Sequence, residues 1–307
     1  MKFSILIPAF KQKYLRECVE SCLSQTYKTY EVIIVDDASP ENLKSVVDKF
    51  DDPRIFYYRN EKNCGAVNVV DNWNICLSYA TGDYVICIGD DDKLKPNCLE
   101  EYHKLIMKYP DIGLVHGWTE IIDEKSTVTK LAAHRCEHES VISLMWHRKH
   151  AYEYQFIGDF CFQRSWLVEN GGFYKLPLAW GSDDISAYIG ASKNGVANTQ
   201  VPVFQYRVNA QTISSTGNIK IKMDAITAMY KWQYNFLSQP KESYLDELYR
   251  KELLKDMPSS YQKKCGLTIA QDMKHCLILR VLYWWYVRKR YKIECKTLLY
   301  AISQTFK

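Results

Sequence analysis

Short apolar segments alternate with helix-like segments through the first hundred residues of this 307-residue chain. Four apolar runs have the length of buried strands, namely 3–7, 31–35, 55–58 and 84–88. Parallel strands that helices cover on both faces are expected to be apolar throughout, as these runs are. The alternation therefore predicts an α/β fold, with a mostly parallel sheet and helices on both of its faces.

Helix signals occupy the intervening segments. Apolar residues recur at helical spacing between the first two strands, at Leu15, Cys18, Val19, Cys22 and Leu23. The residue types of Ser39, Pro40 and Glu41 indicate the capped start of the next helix. A further helix is predicted over 98–108, after which the alternation becomes irregular. From Ile219 onward the pattern is helical and aromatic, with no clear strand.

Charge is distributed unevenly along the chain. The net charge is +4, but residues 258–307 contain ten basic and two acidic side chains, which leaves −4 for residues 1–257. The basic, aromatic C-terminal region predicts contact with an anionic membrane surface. The alternative is a packed helix with a solvated basic face. Nucleic-acid binding is not expected, because no recognition motif accompanies the charge.

Neither a membrane span nor a disulfide framework is indicated. No run approaches the ~18 consecutive apolar residues of a spanning helix, and Pro8 interrupts the first apolar run far short of a secretory signal. The eleven cysteines contain no C-x-x-C pair. We therefore expect reduced thiols in a cytoplasmic protein, peripheral on the inner face of the membrane if the C-terminal region binds lipid.

Polar or turn-forming residues follow three of the predicted strands, at the sheet edge where α/β proteins bind ligands. These segments are Pro8-Ala9-Phe10, Asp36-Asp37 and Asp90-Asp91-Asp92. The first lacks the glycines of a dinucleotide-binding turn, and no phosphate-binding loop occurs elsewhere. Adjacent carboxylates repel one another unless a cation relieves them, and Mg²⁺ commonly joins one or two carboxylates to substrate phosphates. The triplet predicts a divalent-cation site; the alternative is a solvated acidic turn.

Several motifs in the same order resemble those of family 2 glycosyltransferases with the GT-A fold. They are Ser4–Phe10, Gln25–Tyr27, Glu31–Ser39, and Ala80–Tyr84 leading to Asp91 and Asp92 before Pro96. The resemblance is strong over about 1–100 and weaker over 155–215. It implies a Rossmann-like GT-A domain over 1–215, with a nucleotide-sugar-binding half at 1–100 and an acceptor half at 101–215. A helical C-terminal region would follow at 216–307.

The resemblance implies a role for each matching residue of the donor half. Pro8, Ala9 and Phe10 would line the nucleobase pocket, and Asp37 would accept a hydrogen bond from the base, most often uracil. Within the acidic triplet, Asp91 is the leading metal ligand with Asp92, and Asp90 lies near the donor sugar. Gly89 occupies the first acidic position of the usual motif.

Other donor-side positions depart from the family pattern. Asn74 matches a donor-site asparagine, but the arginine that often precedes it is Trp73, so Arg59 or Lys62 would neutralise the diphosphate. Arg207 would do the same, and Asn209 stands where relatives have a histidine.

In the acceptor half, Asp183-Asp184 resembles the family's acidic pair. Asp184, the second acid, would be the base toward the acceptor hydroxyl, and Asp183 would bind acceptor hydroxyls. The alternative for the pair is a plain helix cap. Trp180 would be a platform for the acceptor sugar, or a core residue.

The resemblance implies metal-dependent, inverting transfer of a sugar from a nucleotide-diphosphate donor, expected to be a UDP-sugar. The acceptor would be a saccharide or lipid-linked saccharide in surface polysaccharide assembly. The cofactor would be Mg²⁺ or Mn²⁺. The alternative is a catalytically inactive GT-A domain that binds nucleotide and recruits partners to a membrane. A zinc site is a weaker interpretation of one histidine-rich segment, because its spacing fits no zinc finger: His134, Cys136, His138, His147 and His150.

Overall fold

The computed structural model describes residues 1–208, 218–241, 243–274 and 277–306. These residues form two units. Unit 1 consists of residues 1–175 and 182–208, and unit 2 consists of residues 176–181 and the described residues from 218 onward. Residues 176–181 thus group with the C-terminal helices, although they lie within the predicted GT-A domain.

A mixed β-sheet forms the centre of unit 1. Its described strands are β1 Phe3–Ala9, β2 Tyr30–Asp36, β3 Ile55–Arg59, β4 Tyr84–Cys87, β5 Lys93–Leu94, β6 Leu114–Ile122, β7 Val128–Leu131, β8 His138–Glu139, β9 Phe160–Gln163 and β10 Val196–Arg207. The main order is β3-β2-β1-β4-β9-β6-β10-β5. The first four strands are parallel, as predicted. Beyond them, β9 is antiparallel to both β4 and β6, so only the N-terminal half of the sheet is purely parallel.

The helices of unit 1 flank this sheet. They are α1 Leu15–Leu23, α2 Lys44–Val47, α3 Val69–Tyr79, α4 Cys98–Lys108, α5 Val141–His150, α6 Arg164–Glu169 and α7 Ser182–Ala191. The helices predicted from the spacing after Leu15 and over 98–108 are confirmed. The predicted helix start at Ser39 is wrong, because α2 begins at Lys44. The Ser39 hydroxyl instead donates to Phe10 O at 2.6 Å and so joins two strand-end turns.

Apolar strands explain where the core of unit 1 lies. β1 and β2 are buried almost throughout, and their side chains pack with those of α1 and α4. Full burial of one such side chain stabilises the fold by roughly 1.5–3 kcal/mol. The parallel register pairs Ala9 with Asp36 and Leu6 with Cys87. As a result, the segments that follow β1, β2 and β4 meet at one edge of the sheet.

Unit 2 is helical and has a core of its own. Its described helices are α8 Ile219–Leu237, α9 Tyr244–Met273, α10 Leu277–Val287 and α11 Cys295–Thr305. Residue 258, where the basic region was predicted to begin, is a proline inside α9 and is not a boundary. The core includes Met223, Ile269, Trp284 and Leu298. No helix among the described residues is both long and apolar enough to cross a bilayer.

Candidate active site

The three strand-end segments are joined by hydrogen bonds at the edge of the parallel sheet. The backbone N–H groups of Phe10 and Lys11 both donate to Asp90 Oδ2, each at 2.7 Å. The backbone N–H of Asp37 donates to Ala9 O at 2.9 Å. Pro8 is the last-but-one residue of β1 and is partly exposed, and Phe10 is exposed. The structure therefore brings together the residues predicted to form the donor pocket.

Asp37 is held by a loop that sequence reasoning overlooked. Its side chain is only 7% exposed, and its Oδ1 accepts hydrogen bonds from Asn60 Nδ2 at 2.8 Å and from Cys64 N at 2.9 Å. The Asn60 amide also donates to Asn72 Oδ1 at 3.0 Å. The only signal in the sequence was the polar composition of the segment that follows β3. These contacts fix the carboxylate of the residue that was predicted to bind the nucleobase.

Asp36, the neighbour of Asp37, is fully buried and has a structural role. Its carboxylate accepts hydrogen bonds from Tyr57 Oη at 2.6 Å, from Ser39 N at 2.7 Å and from Arg59 Nη1. Arg59 Nη2 donates to Ser39 O at 2.9 Å. Arg59 was a candidate for the diphosphate, but the structure places its guanidinium on Asp36. Lys62 lies exposed on the same loop.

The acidic triplet forms a tight turn after β4. Burial raises the pKa of Asp90 to about 6, with the charge of Asp91 adding to the effect. Burial and Asp91 also raise the pKa of Asp92 well above its ordinary value. A side chain at Gly89 would bring its Cβ to 3.0 Å from Asp92 Oδ2 and to 3.1 Å from Asp91 Oδ1. Glycine at the first position of the motif therefore leaves room for the two carboxylates.

Arg207 supports this turn from its buried side. The residue is 1% exposed, and its Nε donates to Asp91 O at 2.7 Å, while its backbone N–H donates to Asp92 Oδ1 at 2.9 Å. Nη1 and Nη2 donate to Asp123 O and Glu17 Oε2, both at 3.1 Å. These bonds direct the guanidinium into the protein. The contact that the structure shows is thus with the turn, whereas the resemblance implied a contact with the diphosphate.

The chemistry of the triplet fits a divalent cation shared with a ligand. The described residues contain no preformed group of three or more His, Cys, Asp or Glu side chains that could hold a metal. Mg²⁺ needs only one or two carboxylates when phosphate oxygens supply further ligands. The raised pKa values of Asp90 and Asp92 show an environment that disfavours their negative charge. A cation bound at Asp91 would relieve it.

The residues of the weaker zinc interpretation have separate neighbours. His138 Nε2 lies 2.9 Å from Asn194 O, and His147 Nδ1 lies 3.2 Å from Glu139 Oε2. His134 packs against Trp118. Each of these histidines thus has a local structural explanation.

The predicted acid pair lies in the first turn of α7. Asp184 is 7% exposed, and its Oδ1 accepts hydrogen bonds from Arg148 Nε and from Gln155 Nε2, both at 2.8 Å. Arg148 Nη1 also donates to Tyr152 O at 2.6 Å. Sequence reasoning missed Arg148 and Gln155, because nothing in the local pattern links them to a helix that begins 27 or more residues later. They fix the orientation of the Asp184 carboxylate.

Asp183 has a different environment. Burial raises its pKa to about 7, and the neighbouring Asp184 charge adds to this, while Arg148 opposes it. A carboxyl group that titrates near neutrality can accept or donate a proton under physiological conditions. The pair therefore consists of one carboxylate that is fixed by hydrogen bonds and one whose pKa is raised by burial.

The remaining predicted residues are Asn74, Trp180 and Asn209. The Asn74 amide bonds at both ends to the backbone of Phe173, with Nδ2 donating to O at 3.0 Å and Oδ1 accepting from N at 2.8 Å, so it holds the turn before residue 174. Trp180 belongs to unit 2, where the Lys222 ammonium lies 4.9 Å from its ring centroid. Asn209 lies outside the described residues.

Solved structures identify the class of fold. The chain is similar to the 1–349 portion of S. aureus TarS in complex with UDP-GlcNAc, with a TM-score of 0.70 and 15% identity over 99% of this chain and 88% of that one. It is also similar to the mannosyltransferase PcManGT from Pyrobaculum calidifontis in complex with GDP-Man and Mn²⁺, with a TM-score of 0.56 and 15% identity over 99% and 86% of the two chains. At these identities the likeness shows the fold alone, which is the GT-A-like glycosyltransferase fold.

The family follows from sequence comparison. The model of Glycosyl transferase family 2 matches residues 4–172, which is more than half of the chain, and the chain belongs to this family. The E. coli protein WfgD, a UDP-Glc:alpha-D-GlcNAc-diphosphoundecaprenol beta-1,3-glucosyltransferase, is 32% identical over 131 residues, covering 42% of this chain and 50% of WfgD. The chain spans half or less of the length of the curated relatives that it matches.

Proposed function

We propose that the chain is a metal-dependent, inverting glycosyltransferase that uses a UDP-sugar as its donor. The acceptor is a hydroxyl group of a saccharide or lipid-linked saccharide, and the product contributes to a surface polysaccharide. One observation carries the proposal: the Asp90 carboxylate binds the amides of Phe10 and Lys11 at the sheet edge that also holds Asp37. This arrangement supports a donor site in which Asp37 would bind the base and the acidic turn would lie beside it.

The relatives support the choice of substrates. TarS binds UDP-GlcNAc, and WfgD is named for transfer from UDP-Glc to a diphosphoundecaprenol-linked sugar. PcManGT is in complex with GDP-Man and Mn²⁺. These names favour a uracil nucleotide, a lipid-linked acceptor and a divalent cation for this chain.

The donor edge would bind the nucleotide through groups that are already in position. Asp37, whose carboxylate is fixed by Asn60 and Cys64, would accept a hydrogen bond from the base N–H. Pro8, Ala9 and the exposed Phe10 ring would line the pocket. Because these side chains are ordered before binding, little conformational entropy is lost when the nucleotide binds.

Asp91, with help from Asp90 or Asp92, would hold the cation. A bound Mg²⁺ or Mn²⁺ supplies positive charge to the diphosphate leaving group. Arg207 keeps this turn in place through its bonds to Asp91 O and Asp92 Oδ1. Lys62 is exposed on the loop that also contains Asn60 and Cys64. We propose that it substitutes for the arginine that is missing at Trp73.

The acid pair would serve the acceptor. Asp184 Oδ1 accepts the bonds from Arg148 and Gln155, and the carboxylate that they orient would take the proton from the attacking hydroxyl. The hydroxyl oxygen forms the new bond to the anomeric carbon as the bond to the diphosphate breaks on the opposite face, which inverts that centre. Asp183 would hydrogen-bond a neighbouring hydroxyl. The acceptor role that the resemblance implies for Trp180 stays a prediction.

A ligand-binding screen with a product assay tests the proposal. Thermal unfolding would be followed with UDP, GDP and dTDP, each with Mn²⁺, with Mg²⁺ and with EDTA. A nucleotide at 100 times its dissociation constant adds about 2.7 kcal/mol to the free energy of unfolding. We expect the largest shift from UDP with metal, and metal-dependent release of UDP from a UDP-sugar.

Two outcomes would contradict the proposal. If none of the three nucleotides shifts the unfolding temperature with metal present, the donor site is wrong. If UDP binds but no UDP-sugar yields UDP, with or without saccharide acceptors, the chain is an inactive nucleotide-binding module.

We also propose that the protein acts at the cytoplasmic face of a membrane. A lipid-linked acceptor would reside there, and residues 258–307 carry a net charge of +8 that anionic lipids would attract.

A further inference from the structure

Helix α10 of unit 2 exposes large apolar side chains along one side. Five of them are 48–86% exposed, namely Ile278, Leu279, Leu282, Trp285 and Tyr286. At 3.6 residues per turn, these positions span about 120° of the helix circumference. We call these five residues the apolar stripe. Single exposed apolar residues are ordinary, but five on one side of an eleven-residue helix form a contiguous surface.

The opposite side of α10 is packed, so the helix is firmly anchored in unit 2. Trp284 is buried, and its Nε1 donates to Asp272 Oδ2 at 2.9 Å. Leu277, Val281 and Tyr283 pack against the same helical core. The stripe is therefore the exposed side of a helix whose other side packs into the core of unit 2.

Positive charge borders the apolar stripe. No acidic residue occurs from 277 to 293. The Arg288 guanidinium lies 3.8 Å from the Trp285 ring centroid, at the edge of the stripe. Arg290 is 3.1 Å from Asp224, whereas Arg288, Lys289 and Lys292 have no ion-pair partner among the described residues.

We propose that the apolar stripe inserts, parallel to the bilayer plane, into the headgroup region of an anionic membrane. Arg288, Lys289 and Lys292 would contact the lipid phosphates. An eleven-residue helix is about 16 Å long, roughly half of the ~30 Å hydrocarbon core, so it can lie in the interface but cannot span it. Trp and Tyr beside basic residues suit this position. The inference rests on the proposed membrane association and names the surface that makes the contact. Its observations all lie in unit 2.

A second copy of the chain is the competing occupant of the stripe. In a two-fold contact, Arg288, Lys289 and Lys292 of each copy would come to the same interface, because the same surface is used twice. Like charges close together destabilise such a contact. Lipid phosphates would neutralise the same cations, so charge complementarity favours the anionic bilayer.

Vesicle binding by the full chain tests the proposal without nucleotide. Vesicles of phosphatidylcholine alone would be compared with vesicles that also contain phosphatidylglycerol. We expect binding only to the anionic vesicles. The double variant Ile278→Gln/Leu282→Gln should weaken binding at least about tenfold. The triple variant Arg288→Gln/Lys289→Gln/Lys292→Gln should weaken it on the order of 100-fold.

Matched substitutions on unit 1 provide the controls. Met107→Gln/Val168→Gln changes two exposed apolar residues, and Lys104→Gln/Lys108→Gln/Lys130→Gln removes three exposed charges. These variants should bind vesicles as the unmodified chain does. Thermal unfolding of every variant checks that it is folded.

A depth measurement provides a second readout. Lipids with brominated acyl chains should quench Trp285 fluorescence, and Trp285→Phe should lose most of that quenching. The UDP-induced thermal shift of the stripe variants should be unchanged, which separates this inference from the donor-site proposal.

Several results would overturn the inference. They are equal binding by the stripe variants and the unmodified chain, no binding to anionic vesicles, and a lipid-free dimer by light scattering that Leu282→Gln dissociates.

Discussion

Arg148 Nε donates a hydrogen bond of 2.8 Å to Asp184 Oδ1, and so joins the end of α5 to the start of α7. Burial alone would lower the pKa of Arg148, but the nearby Asp184 raises it above its ordinary value. The same guanidinium donates to Tyr152 O and Glu153 O. Arg148 therefore orients the proposed base and also holds the chain that leads to Gln155.

Replacing each acid of the pair separately distinguishes their roles. A general base contributes typically 10²–10⁴-fold, and an amide cannot accept the proton at neutral pH. We expect Asp184→Asn to lose that factor in kcat for transfer while the UDP-induced thermal shift is kept. Asp183→Asn should lose less. Steady-state transfer assays on both variants provide the measurement.

The opposite ranking would move the base by one residue. If Asp183→Asn is inactive and Asp184→Asn is nearly normal, Asp183 accepts the proton and Asp184 positions it. Nearly normal transfer by both would remove α7 from the mechanism.

Arg148 is expected to act through Asp184. Arg148→Gln should lower kcat by roughly 10–100-fold with little effect on UDP affinity, because the carboxylate loses its fixed orientation. Arg148→Lys keeps the charge but cannot bond Asp184 and Tyr152 O with one planar group, so rescue should be partial. Arg16→Gln, on the exposed side of α1, is the control. If Arg148→Gln weakens UDP binding by as large a factor as it lowers kcat, Arg148 would belong to the donor side.

Asp183 should make stability depend on pH. Its folded-state pKa of about 7 lies above the ordinary value of 3.8. Between these values the native state binds more protons than the unfolded state, so stability falls as pH rises from about 4 to about 7. Asp183→Asn removes this loss and should be more stable than the unmodified chain at pH 8, on the order of 1–4 kcal/mol.

Chemical denaturation at pH 4 and pH 8 checks this prediction. The advantage of Asp183→Asn should be small at pH 4 and fully developed at pH 8. Asp48→Asn, an exposed acid of unit 1, should show no such change. A constant difference across the pH range would contradict the raised pKa.

Asp37 should affect both stability and nucleotide binding. Asp37→Ala removes the acceptor of the Cys64 N–H and one of the two acceptors of the Asn60 amide, which costs about 1–3 kcal/mol in the absence of ligand. The UDP-induced thermal shift should also be lost. Asp37→Asn keeps one acceptor oxygen and should be the more stable of the two. A full UDP shift in Asp37→Ala would remove this residue from the donor site.

We expect Arg207 to hold the acidic turn in place and not to bind the diphosphate directly. Arg207→Met leaves Asp91 O and Asp123 O without donors, at a cost on the order of 2–4 kcal/mol. It should weaken Mn²⁺-dependent binding of UDP, while binding in EDTA stays unchanged. Arg164→Met, which removes a bond to Gly82 O elsewhere in unit 1, is the control. An equal loss with and without metal would indicate the direct phosphate contact that the resemblance implies.

The parallel half of the sheet was predictable because its signal is local. Strands that are buried on both faces need continuous apolar runs, and β1, β2 and β4 have them. Strand β9 pairs antiparallel with β4 and β6, and the direction of that pairing depends on contacts between distant parts of the chain. Local pattern therefore identified the first half of the sheet and missed the mixed order of the second.

The candidate site also contains residues with a local sequence signal and residues whose role depends on distant contacts. The acids at 36–37, 90–92 and 183–184 were found because each follows a strand or begins a helix. Their partners Asn60, Arg148 and Gln155 were not, since each bond joins residues that are 23–36 positions apart. The role of Arg207 differed for a similar reason: burial decides what its guanidinium can touch, and burial at the end of β10 depends on the assembled sheet.

The hydrogen bonds by which Arg207 supports the acidic turn affect the order in which parts of the site can form during synthesis. Its bonds to Asp92 and Glu17 close loops of 115 and 190 residues, among the longest-range side-chain contacts of unit 1. During synthesis, the proposed nucleobase-binding edge at β1–β3 can form from the first hundred residues, but the acidic turn lacks its support until residue 207 has emerged. We expect a nascent chain to acquire affinity for the base well before it acquires affinity for the metal–diphosphate.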